Sequence, residues 1–445
     1  MTEVREMTRS ERTKRNVVAL LLRKGLGVGI SVLLVPLTLK YLGSVEYGVW
    51  LTLTSIISWM YFFDLGLGNG MRNKVAEALA RDEREKVRVY VSTSYALIAI
   101  ITAVLIVVFL LLYTHIDWAR ILQTPAELNA DVGVLVLVVY TFFCLQFFFG
   151  LISTLLTADQ RPATAGYLST IGSALSLLVV YVLSLQQQGS ILWMALLFGL
   201  ANLLPLIGAS VWFFRTRYRE YRPSMKHVDF SQSRGLLSLG VKFFLLQAAA
   251  IIIYSTNNMI ITQLFGPHEV TVYGIAFKYL SVVTMVFSIV LTPFWSAFTD
   301  AYHRGDHDWI NRMMNRLMWS WCGLFALVAF MVFVSAQVYN VWIGDDISIP
   351  FALTITMGVY VLLNAWNSIF SAFQNGIGIL RLQLVGAAIG SVTSIPLAIL
   401  FASTLKFGVK GVLFGAIFGS VLPAIWSPIQ FRKIMNGTAS GIWVK

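Results

Sequence analysis

Long apolar stretches, separated by short polar segments, dominate the chain. A helix needs about 20 consecutive apolar residues to cross the ~30 Å hydrocarbon core of a bilayer, and twelve stretches approach or exceed that length. The pattern therefore predicts an all-α polytopic membrane protein with about 12 transmembrane helices. The predicted spans are 16–39, 46–66, 89–113, 132–156, 164–185, 190–214, 235–263, 271–297, 313–336, 350–374, 383–403 and 409–431.

Two connecting segments resemble each other across the chain. The stretch 41–50 joins spans one and two, and the stretch 264–277 joins spans seven and eight. Both have a bulky residue before a glycine, a glutamate soon after it, and then Tyr-Gly. Two similar halves around a central site are a recurring plan among transporters. We therefore predict two six-helix lobes, residues 1–222 and 223–445, joined by the polar segment 215–234.

The distribution of charge predicts the orientation of the spans. With the N-terminus in the cytoplasm, 25 of the 33 Lys and Arg residues fall on the cytoplasmic side, four on the opposite side and four inside spans. Positive residues concentrate in cytoplasmic loops of membrane proteins. We therefore expect a multi-pass chain with both termini in the cytoplasm. The net charge of +12 needs no nucleic-acid partner to explain it.

Signatures of enzymes and cofactor sites are absent from the sequence. Cys144 and Cys322 lie in apolar stretches far apart, and the five histidines show no metal-ligand spacing. No G-x-x-x-x-G-K-[ST] phosphate loop occurs. We therefore predict a protein without cofactor, metal or catalytic residues.

Four basic residues lie about two turns inside predicted spans: Arg23, Lys24, Lys242 and Lys278. Each such charge costs roughly 2.5–3.5 kcal/mol on insertion scales, so some interaction must offset it. One explanation is a water-filled cationic cavity that pairs with an anionic substrate. The other is snorkelling of the side chains to the headgroups. The carboxylate of Asp64 lies near the end of a predicted span, where a gating role and a contact to nearby basic residues are both possible.

Polar side chains recur on one face of two predicted spans. In span seven, the spacing of Gln247, Tyr254 and Asn258 puts them on one helix face. In span ten, the shared face carries the polar residues Tyr360, Asn364, Asn367, Ser371 and Gln374. Amides and hydroxyls can bind sugars, and they can equally hold helices together. The candidate sugar contacts are Gln247, Tyr254, Asn258, Asn364, Asn367 and Ser371.

Three stretches near the N-terminus carry a family resemblance. Residues 22–43, the sequence Glu-Tyr-Gly-Val-Trp at 46–50 and the sequence Phe-Asp-Leu-Gly-Leu-Gly-Asn-Gly-Met-Arg-Asn at 63–73 resemble the O-antigen and lipid-linked oligosaccharide flippases. These are the Wzx-like members of the polysaccharide transporter family, within the multidrug/oligosaccharidyl-lipid/polysaccharide exporter superfamily.

The resemblance implies a V-shaped fold of two lobes, like that of multidrug exporters of the superfamily. It implies a flippase that moves an undecaprenyl-pyrophosphate-linked oligosaccharide from the cytoplasmic to the periplasmic leaflet by alternating access. Such flippases have a cationic central cavity, which Lys24, Lys242, Lys278 and Arg23 suit here. The partners would be this lipid-linked anionic oligosaccharide, the lipid bilayer and other membrane proteins of polysaccharide assembly.

Two alternatives remain at the level of sequence. A drug/cation antiporter of the same superfamily would need buried carboxylates, whereas these spans carry mainly lysines. A membrane glycan polymerase or ligase would need an extramembrane catalytic surface, and the loops are short.

Overall fold

The computed structural model describes residues 9–59, 67–159, 161–186, 189–232 and 256–444, with side chains described at most of these positions from residue 25 onward. In these ranges the chain is helical and forms no strand. The helices are α1 (Arg9–Ser58), α2 (Leu67–Ala80), α3 (Arg84–Tyr113), α4 (Trp118–Leu122), α5 (Asn129–Phe149), α6 (Leu151–Ala158), α7 (Pro162–Leu183), α8 (Ile191–Arg215), α9 (residues 256–265), α10 (Pro267–His303), α11 (His307–Phe333), α12 (Ser335–Ile343), α13 (Phe351–Ile377), α14 (Arg381–Ile399) and α15 (Val409–Met435).

The predicted all-α membrane fold is confirmed. Ten helices of the described chain are long and apolar enough to cross a membrane. One of them, α1, contains the first two predicted spans. Gly43 interrupts its helical backbone between these spans, with φ 76° and ψ 174°. This left-handed backbone favours glycine, which has no Cβ. We call the parts on either side α1a (residues 9–42) and α1b (residues 44–58). The predicted span 235–263 lies mostly outside the described residues.

Each half of the chain builds its own apolar core. In the first half, residues of α1b such as Leu53 are buried with Leu135 of α5 and Met194 of α8. In the second half, Leu291 of α10 is buried with Ile369 of α13 and with α15. A further buried cluster joins α1 to α10 and α13 across the two halves.

The segment after α8 is held against the first half. The backbone N–H of Ser224 donates to Ser92 Oγ of α3 at 3.1 Å, and that of Asp229 donates to Thr93 Oγ1 at 3.0 Å. Arg217 Nε lies 3.0 Å from an Asp159 carboxylate oxygen. Residues 223–232 therefore contact the first lobe, although the predicted boundary assigns them to the second. The boundary at 222/223 stays a prediction, since residues 233–255 are outside the described part.

Candidate functional site

A cavity of about 520 Å³ lies between the two halves of the chain. On one side, Tyr47, Leu51 and Ser55 follow each other at steps of four along α1b and so share one helix face. The opposite wall comes from α9 and α10. The residues of that wall are Asn258, Tyr273, Gly274, Phe277, Lys278, Ser281, Thr284 and Met285.

Lys278 brings a positive charge to this cavity. It is half-buried and lies eleven residues into α10 from Pro267, which is roughly 16 Å along the helix axis. Its ammonium group makes no ion pair or hydrogen bond with any side chain in the described part of the chain. No carboxylate lines the cavity among the described residues. The site therefore has an unbalanced positive charge at membrane depth, which suits an anion.

Asn258 is also in the wall, where it links the two halves. Its Nδ2 donates to Ser55 Oγ at 2.7 Å and lies 3.5 Å from the Leu51 carbonyl oxygen. The sequence named Asn258 as a sugar contact. The structure places it in the cavity, but its donor group is engaged with α1b.

A second cavity, of about 580 Å³, continues the space between the halves. It is lined by Gly27, Val28 and Ser31 of α1a, by Gly166, Ser169 and Thr170 of α7, and by Met285, Ser288 and Ile289 of α10. Met285 lines both cavities, so the two adjoin, and we call them together the cleft. A Cβ added at Gly27 would meet nothing within 4 Å among the described residues, so α1a leaves open space where it lines this cavity.

The cleft is closed at the end formed by the two resembling connections. Thr52 Oγ1 and Thr262 Oγ1 lie 2.6 Å apart, and His268 Nδ1 lies 3.0 Å from Ser44 Oγ. Thr271 Oγ1 donates to the Ser44 carbonyl oxygen. We call these contacts between residues 44–52 and 262–271 the seam. The second cavity lies at the opposite end, near the start of α7.

Several predicted site residues fall outside the described part. These are Asp64, Lys242, Gln247 and Tyr254, together with the side chains of Arg23 and Lys24. Lys24 precedes Gly27, Val28 and Ser31 by three, four and seven residues, the spacing of one helix face. Its assignment to the cleft stays a prediction, as do those of Arg23 and Lys242.

The predicted polar face of span ten lies on α13, away from both cavities of the cleft. Asn367 Nδ2 donates to the Ser420 carbonyl oxygen of α15 at 3.0 Å, and Asn364 Nδ2 donates to the Tyr360 carbonyl oxygen at 2.8 Å. Gln374 is buried and bonded to Gln430 of α15 at 2.7 Å. These contacts fit the first of two interpretations of this face, which is that its amides hold helices together. They do not test the second, in which Asn364, Asn367 and Ser371 contact sugars.

Sequence reasoning missed a third cavity, of about 240 Å³, inside the first half. It is lined by α1b, α5 and α8, and includes Thr54, Gln146 and Asn202. Gln146 and Asn202 are isolated amides in otherwise apolar spans, so no periodic pattern within either helix indicated them. An isolated amide within an apolar span was the available signal.

Comparison with known protein sequences finds a matching family and two relatives that cover most of the chain. Residues 13–297 match the family described as polysaccharide biosynthesis protein. A protein assigned to O-antigen export in Yersinia pseudotuberculosis is 21% identical over 417 residues, which cover 90% of this chain and 92% of that protein. One assigned to O-antigen transport in Salmonella typhi is 22% identical, with 91% and 92% covered.

Solved structures show the same fold. An inward-facing multidrug resistance MATE family transporter of the MOP superfamily superposes with a TM-score of 0.77. The two sequences are 16% identical, and the match covers 93% of this chain and 96% of that one. The likeness therefore extends over both lobes and supports the predicted two-lobed architecture.

Proposed function

Because the chain belongs to the polysaccharide biosynthesis protein family, we propose that it is a membrane flippase for a lipid-linked, negatively charged oligosaccharide. The substrate class is an undecaprenyl-pyrophosphate-linked glycan, moved from the cytoplasmic to the periplasmic leaflet. The names of its O-antigen relatives support transport of a polysaccharide precursor. The observation that carries the proposal is Lys278, a cation without a carboxylate partner in the described part of the cleft.

The mechanism uses binding and lobe movement, without covalent chemistry. The pyrophosphate and glycan enter the cleft from its open end, and the lipid tail remains in the bilayer. Lys278 pairs with the anion, and hydroxyls such as Ser281 and Thr284 face the sugars. Opening of the seam and closure of the other end then expose the substrate to the opposite side. A lysine point charge allows release more readily than a bidentate arginine would.

The charge of the cleft argues against a cationic drug as substrate. A cation in the cleft would face Lys278, and neither of its two cavities contains a described carboxylate to offset the repulsion. At an effective dielectric of ~20, two unit charges 4 Å apart interact by about 4 kcal/mol, attractive for an anion and repulsive for a cation.

Substitution of Lys278 tests the proposal. We expect Lys278→Gln to lower transport of a prenyl-pyrophosphate-linked glycan into proteoliposomes by tenfold or more, because the anion loses its counter-charge. Lys278→Arg keeps the charge and should retain part of the activity. Lys40→Gln serves as the control, because it removes an exposed lysine near the C-terminal end of α1a. The same changes at Lys24 and Lys242 test their predicted places in the cleft.

Normal transport by Lys278→Gln, Lys24→Gln and Lys242→Gln, alone and combined, at unchanged protein level would contradict the cationic-cleft mechanism. Snorkelling lysines would give that result, since a headgroup contact is easily replaced.

A further inference from the structure

The cavity inside the first lobe has polar groups that the packing of the lobe does not use. The side-chain amide of Gln146, on α5, makes no hydrogen bond within the described residues. Asn202, on α8, uses its Nδ2 twice, donating to Ser176 Oγ at 2.8 Å and to the Phe198 carbonyl oxygen at 2.9 Å. Its Oδ1 accepts no bond in the described part of the chain. Thr54 Oγ1 donates to the Trp50 carbonyl oxygen at 2.8 Å and keeps its capacity to accept.

Unused polar groups of this kind are costly at membrane depth. Lipid tails offer no hydrogen bonds, so an amide in a spanning helix must find a protein, water or ligand partner. Gln146, Asn202 and Thr54 are all half-buried and line one cavity, so a bound molecule there can meet all three.

The corresponding helices of the second lobe pack through apolar side chains. By order along the chain, α10, α13 and α15 correspond to α1b, α5 and α8. Their contact is filled by fully buried apolar residues, among them Leu280, Met357 and Leu413. This apolar packing contrasts with the amides and the hydroxyl that line the cavity of the first lobe.

The lining selects the chemistry of the occupant. None of the twelve lining residues is charged, so neither a cation nor a phosphate would find a counter-charge there. Trp50, Phe142 and Phe198 supply aromatic surface beside the amides and the hydroxyl. Aromatic surface with a few converging polar groups suits a small neutral molecule that has apolar faces and a polar rim, as a sugar ring has. A volume of about 240 Å³ is enough for one such ring and too small for an oligosaccharide.

We infer that this cavity is a subsite for one uncharged sugar ring of the transported glycan. The inference rests on the proposed flippase function and adds a specificity site to it. The helix α1b separates the subsite from the cleft: Leu51 and Ser55 line the cleft, whereas Trp50 and Thr54 line the subsite. The pyrophosphate and one sugar thus bind on neighbouring faces of a single helix.

The experiment compares two ligands on the purified full-length protein in nanodiscs. One is a prenyl-pyrophosphate-linked oligosaccharide from the protein's own cell, and the other is the same prenyl pyrophosphate without sugar. The variants are Gln146→Met and Thr54→Val, which remove polar groups at nearly constant volume. Thr141→Val is the matched control: Thr141 is exposed on α5, and its hydroxyl donates to the Leu137 carbonyl oxygen at 2.8 Å, as Thr54 does to Trp50.

We expect the wild type to bind the glycosylated ligand more tightly than the sugar-free one. Gln146→Met and Thr54→Val should each weaken the glycosylated ligand by roughly 3- to 10-fold, the loss of one or two hydrogen bonds, and leave the sugar-free ligand unchanged. Lys278→Gln should weaken both ligands alike, and Thr141→Val neither.

The outcomes separate the subsite from the proposed function. If the wild type binds both ligands and the two subsite variants keep the preference for the glycan, the subsite is wrong and the flippase proposal stands. Equal weakening of both ligands by the subsite variants would indicate a structural role and also overturns the subsite. If the wild type binds neither ligand, the proposed function fails and the subsite fails with it.

Discussion

At the scale of single residues, Gly48 decides whether the seam can close. A Cβ at this position would lie 1.8 Å from the backbone oxygen of Pro267, which cannot move aside as a side chain can. We expect Gly48→Ala to destabilise the state with the closed seam by about 1–3 kcal/mol, the usual cost of overpacking. Thermal unfolding of the purified protein and thiol labelling of a cysteine at Ser55 from the seam side measure it.

Gly274→Ala is the matched control for Gly48→Ala. Its Cβ would meet Leu51 Cδ1 at 2.7 Å, the tip of a flexible side chain across the same interface. That side chain can rotate away, so the effect should be much smaller. Equal effects of the two alanines would contradict the close-approach argument.

The site residues show what a sequence pattern can and cannot indicate at this scale. A lysine inside an apolar stretch is rare enough to stand out, and Lys278 does line the cleft. Gln146 and Asn202 carry no charge and lie on separate helices. Their meeting depends on tertiary packing, which no single-helix pattern contains.

At the scale of elements, the contact between α1b and α9 holds the seam. Thr52 and Thr262 meet through their hydroxyls at 2.6 Å, so cysteines at both positions should approach disulfide distance. We expect Thr52→Cys/Thr262→Cys to form the bond under oxidant and to stop transport in proteoliposomes. Reductant should restore transport, because only the opening of the seam was blocked.

This cross-linking needs a background without other thiols. Replacement of Cys144 and Cys322 by alanine supplies it, since the chain has two cysteines. Mass spectrometry of the linked peptides verifies the bond, and each single cysteine variant is the control. Full transport by the oxidised, verified double variant would show that the seam need not open.

Hydropathy located the helices well because lipid imposes a nearly fixed length on each span. It predicted a connection between residues 39 and 46, and the non-helical backbone of Gly43 separates α1a from α1b there. It gave no indication of the short helix α2, which is not apolar enough to span and packs beside α3 and α6.

At the scale of the whole molecule, contacts gather the loops at two opposite ends. Arg84 with Glu220 and Arg217 with Asp159 join loops at one end. At the other end, Gln123 Nε2 donates to the Gln263 carbonyl oxygen, and Gln263 Nε2 donates to the Ile121 carbonyl oxygen. This is the arrangement expected when alternate loops lie on opposite sides of a membrane. The positive-inside rule predicts that the first end is cytoplasmic.

Single cysteines labelled by a membrane-impermeant thiol reagent test this orientation and the state of the cleft together. We expect Lys226→Cys to react from the cytoplasm and His115→Cys from the periplasm, both exposed in the structure. Ser31→Cys and Thr170→Cys, in the open cavity, should react from the cytoplasmic side as long as the seam is closed. Labelling of Lys226→Cys from the periplasm would reverse the predicted topology.

The oxidised Thr52→Cys/Thr262→Cys seam turns the same labelling into a test of alternating access. With the seam locked, a cysteine at Ser31 should remain fully reactive from the cytoplasm, because the molecule is held in the state described here. Without the lock, substrate should lower its reactivity from that side and raise it from the periplasm, since a transported ligand shifts the population between the two states. A cysteine at Ser31 that reacts only from the periplasm with the seam locked would contradict the assignment of the open end, and reactivity unchanged by substrate would contradict rocking of the lobes.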